Sequence, residues 1–378
     1  MYMEAKRLKR LMGIINLHNN KDVLWELTRG RPLAAVPFAG RYRLIDFALS
    51  NMINSGITTV GMLMQGNYRS LMDHLRSGKE WDLARKREGL FLLPPIAGIQ
   101  PENGFPNDLS AFQSNLDYLQ NSRQSHVVLS GANMVANINF SQAFDIHEAR
   151  GADISIIYKE EPHLDRYPYS SMIEMDEHGR VIDMEINPAR AHYRNLSLEM
   201  YIMKKSLLAE LVDSASARGG INFLRDALMK NIASLKVYGI RYTGYLAHLM
   251  SIRSYYRHSM ELLQPAVWRE LFFANGLIYT KIKDEAPTKY NDSAKTSNSI
   301  IASGCVLEGT IENSVIFRGV KIHKGAVVRN SIIMQNTEIC AGATLENMIC
   351  DKNVRISAGK CLLAEPHYPM VISKGSLL

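Results

Sequence analysis

The chain has 378 residues, of which 46% are hydrophobic and 21% are charged, as in an ordinary globular protein large enough for two domains. Its net charge is +7, but only residues 6–10 form a tight basic cluster and no aromatic platform accompanies them, which argues against nucleic-acid binding. No apolar run reaches the ~18–20 residues of a membrane span, and no signal-peptide cleavage site follows the basic amino terminus. We therefore expect a cytoplasmic protein with neither membrane nor nucleic-acid partners.

The four cysteines, Cys305, Cys340, Cys350 and Cys361, all lie in the last quarter of the chain. None belongs to a CxxC pair, and no histidine stands at zinc-finger spacing from them. The sequence therefore predicts free thiols and no metal site at these positions.

Residues 11–262 alternate between strand-like and helix-like segments. LMGIINL (11–17) is a short apolar run typical of a buried parallel strand, and residues 42–54 place apolar side chains at helical spacing. Two alternating segments within 171–186 flank Glu177-His178-Gly179, which predicts a hairpin. Such alternation predicts an α/β sheet covered by helices on both faces. Further strands are predicted at 58–65, 125–131, 152–158 and 235–242, and further helices at 68–77, 108–122, 141–151, 204–213, 221–232 and 253–263.

A different pattern begins at Ser299. Small or aliphatic residues recur at steps of five or six residues from Val306 to Leu362, and glycines separate many of them. A repeat this short cannot bury its own apolar face, so it predicts stacked coils of three short strands, a β-helix; an ordinary antiparallel β domain is the alternative. The predicted organisation is a first domain over 1–263, a linker over 264–298 and the solenoid over 299–378.

The segment RPLAAVPFAGRYRLIDFALSNMINSGI (31–57) resembles the signature KPAVPFGGxYRxIDFxLSNxxNSGI of glucose-1-phosphate adenylyltransferases, also called ADP-glucose pyrophosphorylases. The resemblance implies a nucleotidyltransferase (Rossmann-like) mixed-sheet α/β domain followed by a C-terminal left-handed parallel β-helix. In that family ATP and glucose 1-phosphate give ADP-glucose and pyrophosphate, the first step of glycogen synthesis.

The phosphate-binding loop of the family is degenerate in this chain. The family has LLAGGxGxRLxPLT, whereas this chain has IINLHNNKDVLWELT (14–28) without a glycine. Glycine is needed because backbone N–H groups must approach the triphosphate closely. We expect the space to be taken by larger or negatively charged side chains, namely Leu17, His18, Asn19, Asn20, Asp22 and Trp25.

The two metal-binding carboxylates of the family are also missing. The family's LAGDHIY corresponds to LSGANMV (129–135), which places Ala132 at the first aspartate. Its YWRDVGTLDSY corresponds to YLAHLMSIRSY (245–255), which places His248 at the second, and imidazole suits zinc better than Mg²⁺. The sequence therefore predicts no catalytic residue, no metal ligand and no cofactor in this chain, with Mg²⁺ expected only in a catalytic partner subunit.

The sugar-binding segments depart as well. The family's GTADAVYQN, EKP and SMGIY correspond here to NDLSAFQSN (107–115), EINP (185–188) and SLEMY (197–201). With these losses the chain resembles the non-catalytic subunit type of the family. That resemblance implies a regulatory role in a hetero-oligomer with a catalytic ADP-glucose pyrophosphorylase subunit, and the expected hetero-oligomer is a tetramer. Two alternatives stay open: an active adenylyltransferase with displaced metal ligands, and a hexapeptide-repeat acyltransferase that uses His323.

Two sets of residues could still bind ligands. Arg29, Arg31, Arg41 and Arg43 cluster around the retained motif, where the resemblance implies an effector site for phosphorylated sugars, and arginine forks suit phosphate oxygens. Structural ion pairs to Asp46 or to helix ends are the alternative for these arginines. The resemblance also suggests a remnant nucleotide pocket at Gln65 and Gly131.

Overall fold

A computed structural model describes residues 10–18, 24–64, 66–94, 108–162, 167, 170–186, 188 and 191–378. The amino-terminal part is built on a mixed nine-stranded sheet in the order β10-β9-β11-β6-β1-β4-β5, with β8 joining β11 to β12. The strands are β1 (Leu11–Asn16), β4 (Thr59–Leu63), β5 (Gly89–Leu93), β6 (His126–Ser130), β8 (Ile154–Glu160), β9 (Met172–Met175), β10 (Val181–Glu185), β11 (Asn195–Lys204) and β12 (Val237–Arg241). Among the described residues of this part, four short strands lie outside the sheet: β2 (Pro37–Phe38), β3 (Tyr42–Arg43), β7 (Met134–Val135) and β13 (Ala247–His248).

The sheet is mixed because of β11, which runs antiparallel to β6 and β8, whereas β1, β4, β5 and β6 are mutually parallel. The predicted hairpin is confirmed, since β9 and β10 pair antiparallel across the turn that begins at Asp176. Every residue of β1 is buried, as expected of a central strand that is covered on both faces.

Helices cover both faces of this sheet. They are α1 (Trp25–Thr28), α2 (Leu44–Asn54), α3 (Arg69–Leu75), α4 (Asp108–Gln113), α5 (Leu116–Asn121), α6 (Phe140–Ala149) and α7 (Lys205–Ala217), followed by a π-helical turn (Phe223–Leu228). On one face Leu11 and Ile15 pack with α2, α3 and α6. On the other, Met12 and Ile14 pack with α4, α5 and α7, so the alternation of β1 side chains divides the core in two. The single helix predicted over 108–122 is two short helices.

The carboxyl-terminal part is a parallel β-helix with three five-stranded sheets, which confirms the predicted fold class. The strands are β14 (Lys289–Tyr290), β15 (Lys295–Ser297), β16 (Ile300–Ile301), β17 (Val306–Leu307), β18 (Thr310–Glu312), β19 (Val315–Ile316), β20 (Lys321–Ile322), β21 (Val327–Arg329), β22 (Ile332–Ile333), β23 (Glu338–Ile339), β24 (Thr344–Glu346), β25 (Met348–Cys350), β26 (Arg355–Ile356), β27 (Cys361–Leu363) and β28 (Met370–Ile372). Stacked apolar side chains such as Leu307, Ile322 and Ile339 fill its interior.

The predicted linker 264–298 contains regular structure at both ends. After α8 (Ile252–Glu261), helix α9 (Pro265–Phe273) begins with a proline and buries Leu271 and Phe272, and the first coil already begins at Lys289. The apolar repeat does not reveal this coil, because every residue of its strands β14 and β15 is exposed. An open end of a solenoid has no neighbour on which to stack, so polar residues are tolerated there.

One face of the solenoid packs against the first unit. Val315, Ile332 and Ile349 are buried in a cluster that also contains Phe38 and Tyr255. The hydroxyl of Tyr256 crosses the same boundary and donates to the Asn330 carbonyl at 2.5 Å. The two units therefore share one apolar core. In the part of the chain that the structure describes, no helix is both long and apolar enough to span a membrane.

Candidate functional site

The segments that carry the family's chemistry meet at the carboxyl edge of the sheet. Strands β1 and β6 are parallel neighbours, with Ile15 opposite Ser130, so His18 and Ala132 follow adjacent strand ends. The carboxyl ends of parallel strands form the ligand-binding crevice of open α/β sheets. The structure thus brings the two degenerate segments together.

His18 turns inward at the start of the former phosphate loop. Its ring Nε2 donates to the Met64 carbonyl at 2.8 Å, and its backbone N–H donates to Asn16 Oδ1 at 3.0 Å. Burial lowers the pKa of His18, so the ring is neutral near pH 7 and offers no positive charge to a phosphate. Trp25 is 60% exposed, so its ring does not fill the crevice as predicted. Asn19, Asn20 and Asp22 lie outside the described residues.

A buried carboxylate, that of Asp108, lies beside the carboxyl end of β1. Asn16 Nδ2 donates to Asp108 Oδ2 at 3.2 Å, and the Phe223 N–H donates to Asp108 Oδ1 at 2.9 Å. Burial raises the pKa of Asp108 to about 6, which leaves the group mostly ionised at pH 7. Sequence reasoning placed Asp108 only at the start of the helix predicted over 108–122. Here the carboxylate stands next to the phosphate crevice, where its negative charge opposes an anionic substrate.

The former metal positions lack oxygen donors. Ala132 is 1% exposed, and its methyl group cannot ligate a cation. His248 lies on β13 (Ala247–His248), which pairs with β7 so that His248 stands opposite Met134. Ala132 is therefore two positions before Met134, the partner of His248, which supports the alignment of Ala132 and His248 with the family's aspartates.

His248 is a buried, neutral side chain. Its Nδ1 shares a hydrogen bond of 3.0 Å with Ser170 Oγ, and its ring stacks on Tyr167 with centroids 6.1 Å apart. Burial lowers its pKa to about 3. Among the described residues no three histidine, cysteine, aspartate or glutamate side chains are close enough to hold a metal ion. The residues present do not fit the Mg²⁺ on which the family's chemistry depends.

A second carboxylate lies in SLEMY (197–201), the segment that corresponds to the family's sugar-binding motif SMGIY. Glu199 stands at the glycine of the family's SMGIY and has φ +52°, a left-handed conformation that glycine adopts freely and glutamate rarely does. The Ser171 hydroxyl donates to its carboxylate at 3.1 Å. Burial is the main cause of the raised pKa values of Asp108 and Tyr201, and the charge of Glu199 raises both further. Two carboxylates thus act on the pocket that would have to admit a sugar phosphate.

The predicted arginines divide into two groups. Arg31 is 7% exposed, donates from Nε to the Leu27 carbonyl at 2.8 Å, and forms an ion pair with Asp351 of the solenoid. Arg43 donates to the Ser70 carbonyl at 2.6 Å. Arg29 is exposed at the end of α1, and Arg41 is exposed and lies over the ring of Tyr42 at 5.0 Å. The structure places Arg31 and Arg43 at the boundary between the two units, and the other two on the surface.

Lysines that sequence reasoning missed join Arg31 and Arg43. Burial, together with the charges of Arg43 and Arg31, lowers the pKa of Lys352 to about 7. Lys281 donates to the Asp73 carbonyl at 2.6 Å, and burial lowers its pKa with smaller contributions from Arg76 and Arg43. We call Arg31, Arg43, Lys281 and Lys352 the junction cluster. A concentration of cations, three of which have pKa values lowered by burial and by neighbouring positive charge, favours anion binding.

The remaining predicted positions are placed as follows. Gln65 lies outside the described residues. Gly131 lies directly after β6. Its surroundings are closely packed, because a Cβ added at this position would lie 2.8 Å from Asn133 Oδ1. His323, the residue of the acyltransferase alternative, lies on an outer face of the solenoid, with its Nε2 2.8 Å from Glu338 and its Nδ1 3.9 Å from Glu308.

Comparisons with known proteins show which families the chain is similar to. Residues 22–245 match the nucleotidyl transferase family, and residues 285–366 match the GlmU-like C-terminal hexapeptide family. The chain is 37% identical to the glycogen biosynthesis protein GlgD of Bacillus subtilis over 85% of the chain and 83% of that protein. It is 40% identical to GlgD of Geobacillus stearothermophilus over 84% of the chain and 83% of that protein. It is also 36% identical to glucose-1-phosphate adenylyltransferase of Thermotoga maritima, over 78% of the chain and 70% of that enzyme.

Proposed function

The chain belongs to the glucose-1-phosphate adenylyltransferase family of nucleotidyl transferases, and we propose that within it the chain is a catalytically degenerate, regulatory subunit that acts in glycogen biosynthesis. The observation that carries this proposal is the replacement of both metal aspartates by Ala132 and the buried, neutral His248. Without oxygen donors at these two positions, Mg²⁺ cannot be held against the phosphates, and among the described residues no three histidine, cysteine, aspartate or glutamate side chains are close enough to hold a metal ion. The relatives named for glycogen biosynthesis support the pathway.

The partner in this proposal is a catalytic subunit of the same family, joined in a hetero-oligomer. A subunit without its own chemistry affects flux only through a partner that has it. The retained nucleotidyl transferase fold and solenoid support association with a homologous subunit, since related folds present related surfaces.

The effector in this proposal is a phosphorylated sugar bound at the junction cluster. Arg43 and Lys352 come from different units of the chain, so a phosphate held between them would tie the two units together. Arg31 is already paired with Asp351, which leaves Arg43 and Lys352 as the groups to receive phosphate oxygens. Lys352, with a pKa of about 7, would gain charge when an anion binds.

The test is co-expression with the catalytic subunit of the same organism. We expect a stable complex by size-exclusion chromatography with light scattering, and an ADP-glucose formation rate or hexose-phosphate response that differs from that of the catalytic subunit alone. In the complex, Arg43→Ala should raise the effector concentration for half-maximal response by roughly 10-fold, the size of a lost charge-assisted hydrogen bond.

Arg329→Ala is the matched control, because this exposed arginine pairs with Glu312 on the solenoid surface, and it should leave the effector response unchanged. Melting temperatures of both variants separate a lost phosphate contact from a folding defect. The proposal is wrong if no complex forms and the catalytic subunit behaves identically with and without this chain.

A further inference from the structure

A groove of about 560 Å³ lies between the last helices of the first unit and one corner of the solenoid. Helix α8 and the residues that lead into α9 contribute Tyr256, Met260, Leu263, Gln264 and Pro265, and the solenoid contributes Asn298, Asn313, Asn330, Asn347 and Pro366. The groove shares no residue with the degenerate crevice or with the junction cluster. Its volume is in the range of small-molecule pockets.

The four asparagines of this groove form a regular column, which we call the asparagine ladder. Each one directly follows a strand of the same sheet, in the order β15, β18, β21 and β24. Their φ angles lie between +40° and +57°, a left-handed conformation that asparagine adopts more readily than most residues. Neighbouring strands lie ~4.8 Å apart, so the ladder places an amide at each step over roughly 14 Å.

Part of the hydrogen-bonding capacity of these amides is unused. Asn298 Nδ2 donates to Asn313 Oδ1 at 2.7 Å. The Asn330 carbonyl accepts from the Tyr256 hydroxyl, but the side-chain amide of Asn330 makes no hydrogen bond with any residue that the structure describes. The same is true of the exposed side chain of Gln264. Because a side-chain amide has two N–H donors and an acceptor oxygen, the groove offers free neutral donors and acceptors.

The rest of the lining is apolar, and no described residue of the groove is charged. Met260, Leu263, Pro265 and Pro366 supply the apolar surface. A phosphorylated ligand would find no cation here to pair with its phosphate. A carbohydrate matches both kinds of surface, because its hydroxyl groups exchange hydrogen bonds with amides and the C–H faces of its rings pack on apolar side chains. A chain of repeated sugar units also matches the repeated amides of the ladder.

We propose that this groove binds a short linear α-glucan, with its hydroxyl groups on the asparagine ladder and Gln264 and its ring faces against Met260 and Leu263. Such a site would hold the subunit on a glucan chain, which goes beyond regulation of a catalytic partner. The choice of an α-glucan over other neutral oligosaccharides rests on the proposed role in glycogen biosynthesis. Recognition of a neutral sugar chain rests on the groove alone.

The experiment is calorimetric titration of the full chain with maltohexaose. We expect saturable binding with one site per chain, and at least ~10-fold weaker binding of glucose, because a single ring reaches only part of the ladder and forms fewer hydrogen bonds. Cellohexaose, the β-linked isomer, should bind more weakly than maltohexaose. Glycogen should retain the chain in co-sedimentation, and added maltohexaose should release it.

Two variants remove amides from the groove without disturbing the backbone. Asn330→Gly keeps the left-handed conformation, and Gln264→Ala removes a side chain that makes no cap hydrogen bond to α9. Each should weaken maltohexaose binding roughly 3- to 10-fold, the effect of losing one neutral hydrogen bond. Asn336→Gly is the matched control, because Asn336 has φ +58° but does not line the groove, and it should leave the affinity unchanged. Melting temperatures identify any variant that fails to fold.

Several results would overturn the inference. They are undetectable maltohexaose binding at millimolar concentration, equal affinity of the wild type and both groove variants, and an equal loss of affinity in Asn336→Gly. Cellohexaose binding as tight as that of maltohexaose would overturn the assignment to an α-glucan. All of these measurements use the isolated chain, so their failure leaves the proposed regulatory function standing, and failure to form a complex with a catalytic subunit leaves the groove standing.

Discussion

Asp351→Ala is expected to lower the free energy of unfolding by ~3–5 kcal/mol, the typical effect of removing one partner of a buried ion pair. The Arg31 guanidinium is 7% exposed and pairs with this carboxylate. Without the carboxylate, a positive charge is left in the apolar boundary between the two units, next to Arg43 and Lys352. Chemical denaturation followed by circular dichroism measures the loss.

The matched control for this prediction is Glu312→Ala, which breaks the Arg329–Glu312 pair, both of whose side chains are substantially exposed. A surface pair contributes only ~0–1 kcal/mol, so the two variants should differ clearly. The double variant Arg31→Met with Asp351→Ala should recover most of the lost stability, because it leaves no unpaired charge. Equal effects of Asp351→Ala and Glu312→Ala would contradict the buried ion pair as a determinant of the interface.

Restoring one metal ligand should not restore activity. We expect Ala132→Asp to form ADP-glucose at less than ~10⁻³ of the rate of a catalytic relative, since each ~1.4 kcal/mol of lost transition-state stabilisation reduces the rate tenfold. One carboxylate cannot clamp Mg²⁺ beside the neutral His248, and Asp108 and Glu199 oppose the anionic substrates. The variant should also lose ~1–3 kcal/mol of stability, because the new carboxyl group lies at a position that is 1% exposed.

Ala132→Asn is the control for this variant, because it has nearly the same shape without the charge. Both variants should show melting temperatures that do not change with added Mg²⁺. A rise in the melting temperature of Ala132→Asp with Mg²⁺, absent from Ala132→Asn, would show that a metal site survives in the crevice.

The repeated and periodic parts of the fold could be predicted from the sequence. The apolar steps from Val306 to Leu362 identify the solenoid because every interior coil must bury the same face against its neighbours. The first coil could not be predicted in this way, because Lys289–Tyr290 and Lys295–Ser297 cover the open end and carry no apolar signal. Helix α9 was missed for a related reason, since only Leu271 and Phe272 among its residues are buried.

The candidate site could also be predicted from the sequence only in part. The losses at Ala132 and His248 could be predicted, because each stands within a motif whose flanking residues are kept. The carboxylates of Asp108 and Glu199 could not, because their effect depends on which strand ends lie side by side and on the backbone angles at Glu199. Lys352 and Asp351 lie far along the chain from Arg31, and only the packing of the solenoid on the first unit brings them together.

The most direct test of the central claim is an assay of the purified chain alone with ATP, glucose 1-phosphate and Mg²⁺, in which ADP-glucose is quantified by chromatography. A crevice without metal ligands and with two opposing carboxylates predicts no product above the protein-free control. Mg²⁺-dependent ADP-glucose formation that rises in proportion to the chain's concentration would contradict the account.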